Sequence, residues 1–323
     1  MTIVINELLS VRVDTIHYEA QDINSFELVD PAGRPLPKFT AGAHIDVHID
    51  SDTIRQYSLC NDPSETERYV LGVLRDPHGR GGSVAMHDRI RPGDLVTVSQ
   101  PRNLFPLAAN ASHHLLLAGG IGVTPMMAMI ETLSRNGASF EMHYCTRSAE
   151  RTAFRERLRP YVERGLVHLH HDHGAVKDGL DLSSLLAHRR EGTHLYYCGP
   201  DGFMNAVQQA AAHWPKGALH REFFGTPSTA PVRQENERAF RVRLALSDEV
   251  LTVPPDRSIV EVLHEHGIDV DTSCKEGYCG TCMTRYLKGE PDHRDVVLDP
   301  QDRERYVLIC CARSHSDELV LDL

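Results

Sequence analysis

Over the first hundred residues apolar and polar side chains alternate in short runs, as in His44-Ile45-Asp46-Val47-His48-Ile49 and Asp94-Leu95-Val96-Thr97-Val98. A period of two places one set of side chains on a core and the other in water, so these runs predict half-buried strands. The turn-forming stretches Pro31-Ala32-Gly33, Asn61-Asp62-Pro63 and Arg91-Pro92-Gly93-Asp94 separate them, and a small antiparallel barrel or sandwich is expected. At His114 the pattern changes. The continuous apolar run His114-Leu115-Leu116-Leu117-Ala118 leads into Gly119-Gly120-Ile121-Gly122 and then an apolar helix over 125–133, with Pro125 suited to its first turn. Strands at 140–145, 166–170 and 194–198 then alternate with helices at 151–163 and 201–213, which is the signature of a parallel α/β domain. Residues 226–236 carry two prolines and almost no apolar content, and read as a linker. Beyond them two strands (240–244 and 249–253) and a short helix (258–266) precede a group of cysteines. The expected organisation is therefore a β-barrel domain over 1–106, an α/β domain over 107–226, a linker over 227–237 and a third domain over 238–323.

A length of 323 residues fits two or three domains, each able to bury its own core. The composition, 41% hydrophobic and 24% charged, is that of a globular protein, and no run approaches the roughly 18 apolar residues of a membrane helix. The start, Met1-Thr2-Ile3-Val4-Ile5-Asn6-Glu7, has none of the features of a secretion signal, so a soluble cytoplasmic protein is expected. A formal net charge of −11 argues against nucleic acid and would suit a partner with a basic face.

Cysteine placement narrows the chemistry. Cys274-Lys275-Glu276-Gly277-Tyr278-Cys279-Gly280-Thr281-Cys282, with Cys310 and Cys311 beyond, gives C-x4-C-x2-C and a distant cysteine, the plant-type [2Fe-2S] spacing. Thiolates bind iron, and Gly277 and Gly280 let backbone N–H groups approach the electron-rich cluster sulfurs. Structural zinc more often uses two short C-x-x-C or Cys/His pairs. Of the adjacent Cys310 and Cys311, only one should face a cluster.

The first domain holds Arg55-Gln56-Tyr57-Ser58-Leu59, in which alternation puts Arg55 and Tyr57 on one face of a strand. A bound flavin needs a flat ring to pack on, a hydrogen bond near N5 and a cation for its phosphate, the roles open to Tyr57, Ser58 and Arg55. Gly79-Arg80-Gly81-Gly82-Ser83 precedes a short helix, and the exposed N–H groups at Gly81, Gly82 and Ser83 would form an anion site. Gly119-Gly120-Ile121-Gly122-Val123-Thr124-Pro125 sits at a strand-to-helix turn, where Gly120 and Gly122 would let the backbone approach a pyrophosphate, although the third glycine of the Rossmann fingerprint is missing. Cys198-Gly199-Pro200-Asp201-Gly202 ends another strand in the same way.

Taken with Tyr57-Ser58-Leu59-Cys60-Asn61-Asp62-Pro63, Pro101-Arg102-Asn103-Leu104-Phe105-Pro106-Leu107, Glu222-Phe223-Phe224-Gly225 and the ending Ile309-Cys310-Cys311-Ala312-Arg313-Ser314, the chain resembles the phthalate dioxygenase reductase family over nearly its whole length. The resemblance implies an FMN-binding β-barrel, an α/β nicotinamide domain and a C-terminal β-grasp ferredoxin domain. It implies FMN rather than FAD, NADH as reductant and Cys310 as fourth cluster ligand beside Cys274, Cys279 and Cys282. It also implies that Thr124 and Cys198 flank the nicotinamide and that Phe224 covers the flavin. Electrons would pass from NADH through FMN and the [2Fe-2S] cluster to a Rieske-type oxygenase acting on an aromatic acid or a related small molecule, with vanillate, phthalate and carnitine systems among the alternatives. The competing classes are an electron-transfer module without turnover and a stand-alone flavin reductase.

Three features remain beside that reading. The second α/β strand ends Cys145-Thr146-Arg147-Ser148 without an acidic residue for the adenine ribose, and Arg147 would also suit a 2′-phosphate. In His168-Leu169-His170-His171-Asp172-His173, alternation pairs His168 with His170 on a strand and leaves the rest in a loop, a poor match to a metal site. Cys60, Cys145 and Trp214 read as packing residues.

Overall fold

The computed structural model describes residues 8–50, 53–225, 237–272, 274–298 and 300–323, and the expected linker lies outside them except for Glu237. The chain divides into two compact units, Met1–Phe224 and Gly225–Leu323.

The first unit holds two sheets. Strands β1 (Leu9–Ala20), β2 (Ile23–Val29), β3 (His44–His48), β4 (Ile54–Ser58), β5 (Tyr69–Leu74) and, after helix α1 (Gly82–Arg89), β6 (Leu95–Val98) form a sheet in the order β4-β3-β6-β1-β2-β5. Its two edges meet through a bridge between Leu59 and Leu71 and a bond from Cys60 N to the Val70 carbonyl at 2.9 Å, so the sheet closes on itself. Closure hides the edge strands and surrounds Val11, Val13, Phe26, Ile45, Val47 and Leu71.

The second sheet is parallel and is built from β7 (His113–Gly119), β8 (Phe140–Thr146), β9 (Val167–His171), β10 (Thr193–Cys198) and β11 (Leu219–Glu222). Helices α2 (Val123–Arg135), α3 (Arg155–Glu163), α4 (Leu182–Leu186) and α5 (Asp201–Ala210) cross between them. The order β11-β10-β7-β8-β9 puts the first strand in the middle. The chain moves outward from β7 to β9, then returns to lay β10 against the other side of β7. That reversal opens a crevice at the carboxyl ends of β7 and β10, where open α/β sheets bind ligands.

Several helices differ from the sequence reading: α2 starts at Val123, two residues before the expected Pro125, and α4 was not expected. α3 begins at Arg155 rather than at residue 151, because Phe154 takes a left-handed conformation (φ 59°) and the preceding Ala149–Arg151 form a single 3-10 turn. α5 ends at Ala210, three residues early. β9 reaches His171, so that histidine belongs to the strand and not to the following loop.

In the second unit β12 (Phe240–Leu244) and β13 (Val250–Val253) form the expected hairpin. Helix α6 (Ile259–Glu265) starts at a capping box in which Ser258 and Glu261 satisfy each other's backbone N–H groups. β14 (Met283–Lys288), the short β15 (Pro291–Asp292), β16 (Tyr306–Leu308), the short β17 (Arg313–Ser314) and β18 (Glu318–Leu321) follow. The main sheet has the order β13-β12-β18-β14-β16, so β18 is central and pairs in parallel with β12. Its core gathers Val242, Leu251, Val262, Val307, Ile309 and Leu319.

Candidate functional site

Helix α1 begins where the sequence placed an anion cradle. Gly81 caps it in the left-handed conformation (φ 78°), which favours glycine. A Cβ on Gly82 would lie 2.5 Å from Arg55 Cγ and 2.6 Å from Arg55 Nε, so the Arg55 side chain occupies the space that only a glycine leaves. Arg55 donates to the Ile54 and Arg80 carbonyls at 2.8 Å each, which fixes the guanidinium beside the helix start. Ser83 Oγ accepts from Asp76 N at 3.1 Å, tying that helix start to the preceding loop. A fixed cation beside the N–H groups of an eight-residue helix fits a phosphate. Tyr57 stands two residues along β4, half-buried, and burial raises its phenol above the ordinary range.

At the crevice between β7 and β10 a cavity of about 550 Å³ is walled by Gly119, Gly120, Ile121, Pro200, Gly202 and Phe203, with Arg147, Arg151, His170 and Asp172 around it. Gly120 has φ 54°, and Gly122 fits against β10 so closely that a Cβ there would lie 2.2 Å from the Cys198 carbonyl oxygen. Arg147 is exposed, and Arg151 pairs with Asp22 at 3.4 Å. Asp172 accepts from Gly174 N at 2.9 Å, which engages one of its oxygens with its own loop. The cavity's size and its glycine wall fit a dinucleotide.

The structure gathers Ser58 and Cys198 through a residue to which the sequence reading gave no role. Ser58 is the cross-strand neighbour of His44, and Cys198 that of Glu222. Ser58 Oγ donates to Glu222 Oε2 at 3.4 Å, while His44 Nδ1 lies 3.7 Å from Glu222 Oε1. His44, Ser58 and Cys198 are buried, and the Glu222 side chain is 13% exposed. Burial, with the Glu222 charge adding to it, pushes the Cys198 thiol well above its usual range, so Cys198 is a neutral apolar wall rather than a nucleophile. Thr124 is not joined to this set: its hydroxyl donates to the carbonyl of the cavity residue Ile121 at 3.1 Å and its methyl packs toward Gly72. Phe224 is 40% exposed. His44 and Glu222 belong to segments that no local pattern links, since residues 44, 58, 198 and 222 meet only through the fold.

In the second unit the four cysteines form one connected set. The thiols of Cys279 and Cys310 hydrogen-bond to Cys274, which lowers the Cys274 pKa, and Cys282 bonds to Cys310. The Cys311 thiol donates to the Leu308 carbonyl at 3.6 Å and also lies against Cys310. All eight cysteines of the chain are outside disulfides. Lys275, Gly277 and Gly280 have positive φ values of 56°, 78° and 77°, which bends the loop around the thiols. A Cβ on Gly277 would lie 2.6 Å from Cys311 Sγ. Three thiols from this loop, with that of Cys310 from beyond β16, make a donor set of the kind iron-sulfur clusters use.

Comparison with known proteins adds the lineage. Residues 243–315 match the 2Fe-2S iron-sulfur cluster binding domain, and residues 98–217 match the N-terminal domain of dimethylamine monooxygenase subunit DmmA-like proteins. The phthalate dioxygenase reductase of Burkholderia cepacia is 44% identical over 98% of this chain and 97% of its own. The chain belongs to the phthalate dioxygenase reductase family. A solved structure of phthalate dioxygenase reductase, described as modular for electron transfer from pyridine nucleotides to [2Fe-2S], superposes with a TM-score of 0.72 at 42% identity, covering 98% of both chains. The reductase subunit of the tert-butanol monooxygenase / tert-amyl alcohol desaturase of Aquincola tertiaricarbonis is 47% identical over 98% of this chain and 96% of its own. The family bears out the three-part architecture and the oxidoreductase class expected from the sequence. Among the described residues no helix is long and apolar enough to cross a membrane.

Proposed function

We propose that the chain is the reductase component of a multicomponent Rieske-type oxygenase system, taking electrons from NADH and passing them to a separate oxygenase. When bound, FMN and a [2Fe-2S] cluster supply the conversion of a hydride's electron pair into single electrons, and the protein supplies position and electrostatics. In this assignment residues 1–106 bind the flavin, 107–226 the dinucleotide and 238–323 the cluster, joined by 227–237. Arg55, Tyr57, Ser58, Gly81, Gly82 and Ser83 would hold FMN. Gly120, Gly122, Thr124, Arg147 and Cys198 would hold NADH, with Phe224 against the flavin. Cys274, Cys279, Cys282 and Cys310 would bind the cluster.

The observation that carries this reading is the meeting of Ser58 and Cys198 at Glu222, which brings the strand that carries Arg55 of the phosphate cradle to the crevice that holds the cavity. Two flat rings need to touch face to face for hydride transfer, and only a seam shared by both sheets can hold both. An anaerobic NADH titration, followed by absorbance and electron paramagnetic resonance with extraction of the flavin, tests it. Bleaching of one FMN and one reduced [2Fe-2S] signal are expected. A protein that binds no flavin, or whose flavin ignores NADH, would overturn the assignment.

A further inference from the structure

The reading above leaves His44 without a role, although it stands at the centre of the seam. Its side chain is 5% exposed, and its two ring nitrogens face different partners. Nδ1 lies 3.7 Å from Glu222 Oε1 and Nε2 lies 3.3 Å from Gln56 Nε2. Its backbone is clamped at both polar groups by one neighbour: His44 N donates to the Arg102 carbonyl at 2.9 Å, and Arg102 N donates back at 3.0 Å. The next residue on the same face of β3, Asp46, takes the Arg102 guanidinium at 2.6 Å, so that acid does not compete for His44. From the facing strands come Ser58 on β4 and Glu222 on β11, with the Cys198 thiol next to Glu222. The carboxylate of Glu222 thus meets a hydroxyl donor at one oxygen and has an imidazole 3.7 Å from the other.

We infer that His44 is a positioning residue: it fixes the Glu222 carboxylate, and through it commits the Ser58 hydroxyl proton to Glu222. The chemistry follows from donor and acceptor counting. A serine has one O–H to give, and once it points at Glu222 the oxygen offers only lone pairs to a ring lying against it. A ring nitrogen that carries a proton is then favoured over one that does not. His44 therefore biases the bound flavin toward its reduced, N–H-bearing form without touching it. Without His44 the carboxylate is free to turn toward other donors, and the serine proton is released to point either way. This inference rests on the proposed function, because it places a flavin ring at Ser58.

The test uses the full-length holoprotein and two substitutions that separate the ring nitrogens. In His44→Asn the amide nitrogen falls near the position of Nδ1 and can still reach Glu222. In His44→Gln it falls near Nε2 and reaches only toward Gln56. The flavin midpoint potential should move to more negative values in His44→Gln and His44→Ala and return toward the parental value in His44→Asn. Flavin reduction at saturating NADH should slow about tenfold in the first two, the effect of losing one charge-assisted contact. The NADH concentration for half-saturation should stay within about twofold, because His44 is not among the residues lining the dinucleotide cavity. Glu222→Gln should reproduce the potential shift, and adding His44→Gln to it should shift the potential no further; this pair decides the matter if His44→Ala folds poorly. Unchanged potentials in His44→Gln, or equal shifts in the Asn and Gln variants, would overturn the inference. A parental protein that binds no flavin would instead overturn the functional reading on which it rests.

Discussion

Replacing Gly122 by alanine tests the crevice with a single methyl group. Gly122 has φ −60° and ψ −3°, a conformation open to any residue, so alanine adds no backbone strain. The cost comes from contact alone. The new Cβ would lie 2.2 Å from the Cys198 oxygen, 2.4 Å from its carbonyl carbon and 2.7 Å from Gly199 N, against about 3.5–4.0 Å for an unstrained contact. None of these atoms can swing aside as a side chain would, since Cys198 is paired to Ala118 of β7 on one side and to Glu222 of β11 on the other. Either the start of α2 or the end of β10 must retreat by about 1 Å, and overpacking of this kind costs about 1–3 kcal/mol. At roughly 2–4 °C per kcal/mol for a unit of this size, the melting temperature should fall by about 2–12 °C. The same retreat moves Gly120 from Pro200 across the cavity, and a displacement near 1 Å costs up to about a hundredfold in a site that depends on orientation. Thermal unfolding and anaerobic NADH binding measure the two effects. Gly217→Ala is the control: it faces open space and should leave both unchanged. A Gly122→Ala protein that melts within about 1 °C of the parent and binds NADH equally would refute the close packing of α2 on β10.

Other substitutions read the remaining parts. Arg55→Ala removes a fixed cation from the start of α1 and should weaken FMN retention by about 10- to 100-fold, measured by flavin release on dilution. Cys279→Ala should abolish the cluster's paramagnetic signal while NADH still bleaches the flavin; cytochrome c reduction at the parental rate would show that electrons bypass the cluster. Arg147→Ala should raise the half-saturating NADH concentration several-fold with little change in the rate at saturation, and an unchanged value would remove Arg147 from the site. Acid should destabilise the first unit, because burial pushes His114, His143 and His220 down to about 4 in the folded chain. Below about 6.5 the unfolded chain binds protons that these folded side chains refuse, so their contribution is present above that pH and is lost as pH falls toward 4, by up to about 1.4 kcal/mol per unit for each. Urea unfolding at pH 7.5 and 5.0 measures it, and greater stability at the lower pH would contradict the burial argument.

Local chemistry was readable where a few adjacent residues carry it. The cysteine spacing and the glycines at 81, 82, 120 and 122 each follow from the needs of a turn or a close approach. The parallel order of the second sheet was not readable, because alternation of strands and helices leaves open which side of β7 receives β10. The start of α3 was misplaced since Phe154 adopts a left-handed conformation that its identity does not announce. His44 and Glu222 went unnoticed for a different reason: each looks like an ordinary polar residue in its own strand. Their significance comes from the pairing of β3 with β4 and of β10 with β11, and from the meeting of those two sheets.

The parallel pairing of β12 with β18 has a consequence for how the second unit is made. Arg241 lies beside Glu318, so the sheet closes a loop of roughly 75 residues that contains Cys274, Cys279, Cys282 and Cys310. Such a pairing repays its entropy only after most of the intervening chain is organised, which makes it slow to form. Iron delivered before that moment would meet a mobile chain whose thiols are not yet gathered. Maturation of the cluster should therefore be gated by the rate of sheet closure, and mutations that delay β18 should yield iron-poor protein even when the finished fold is stable.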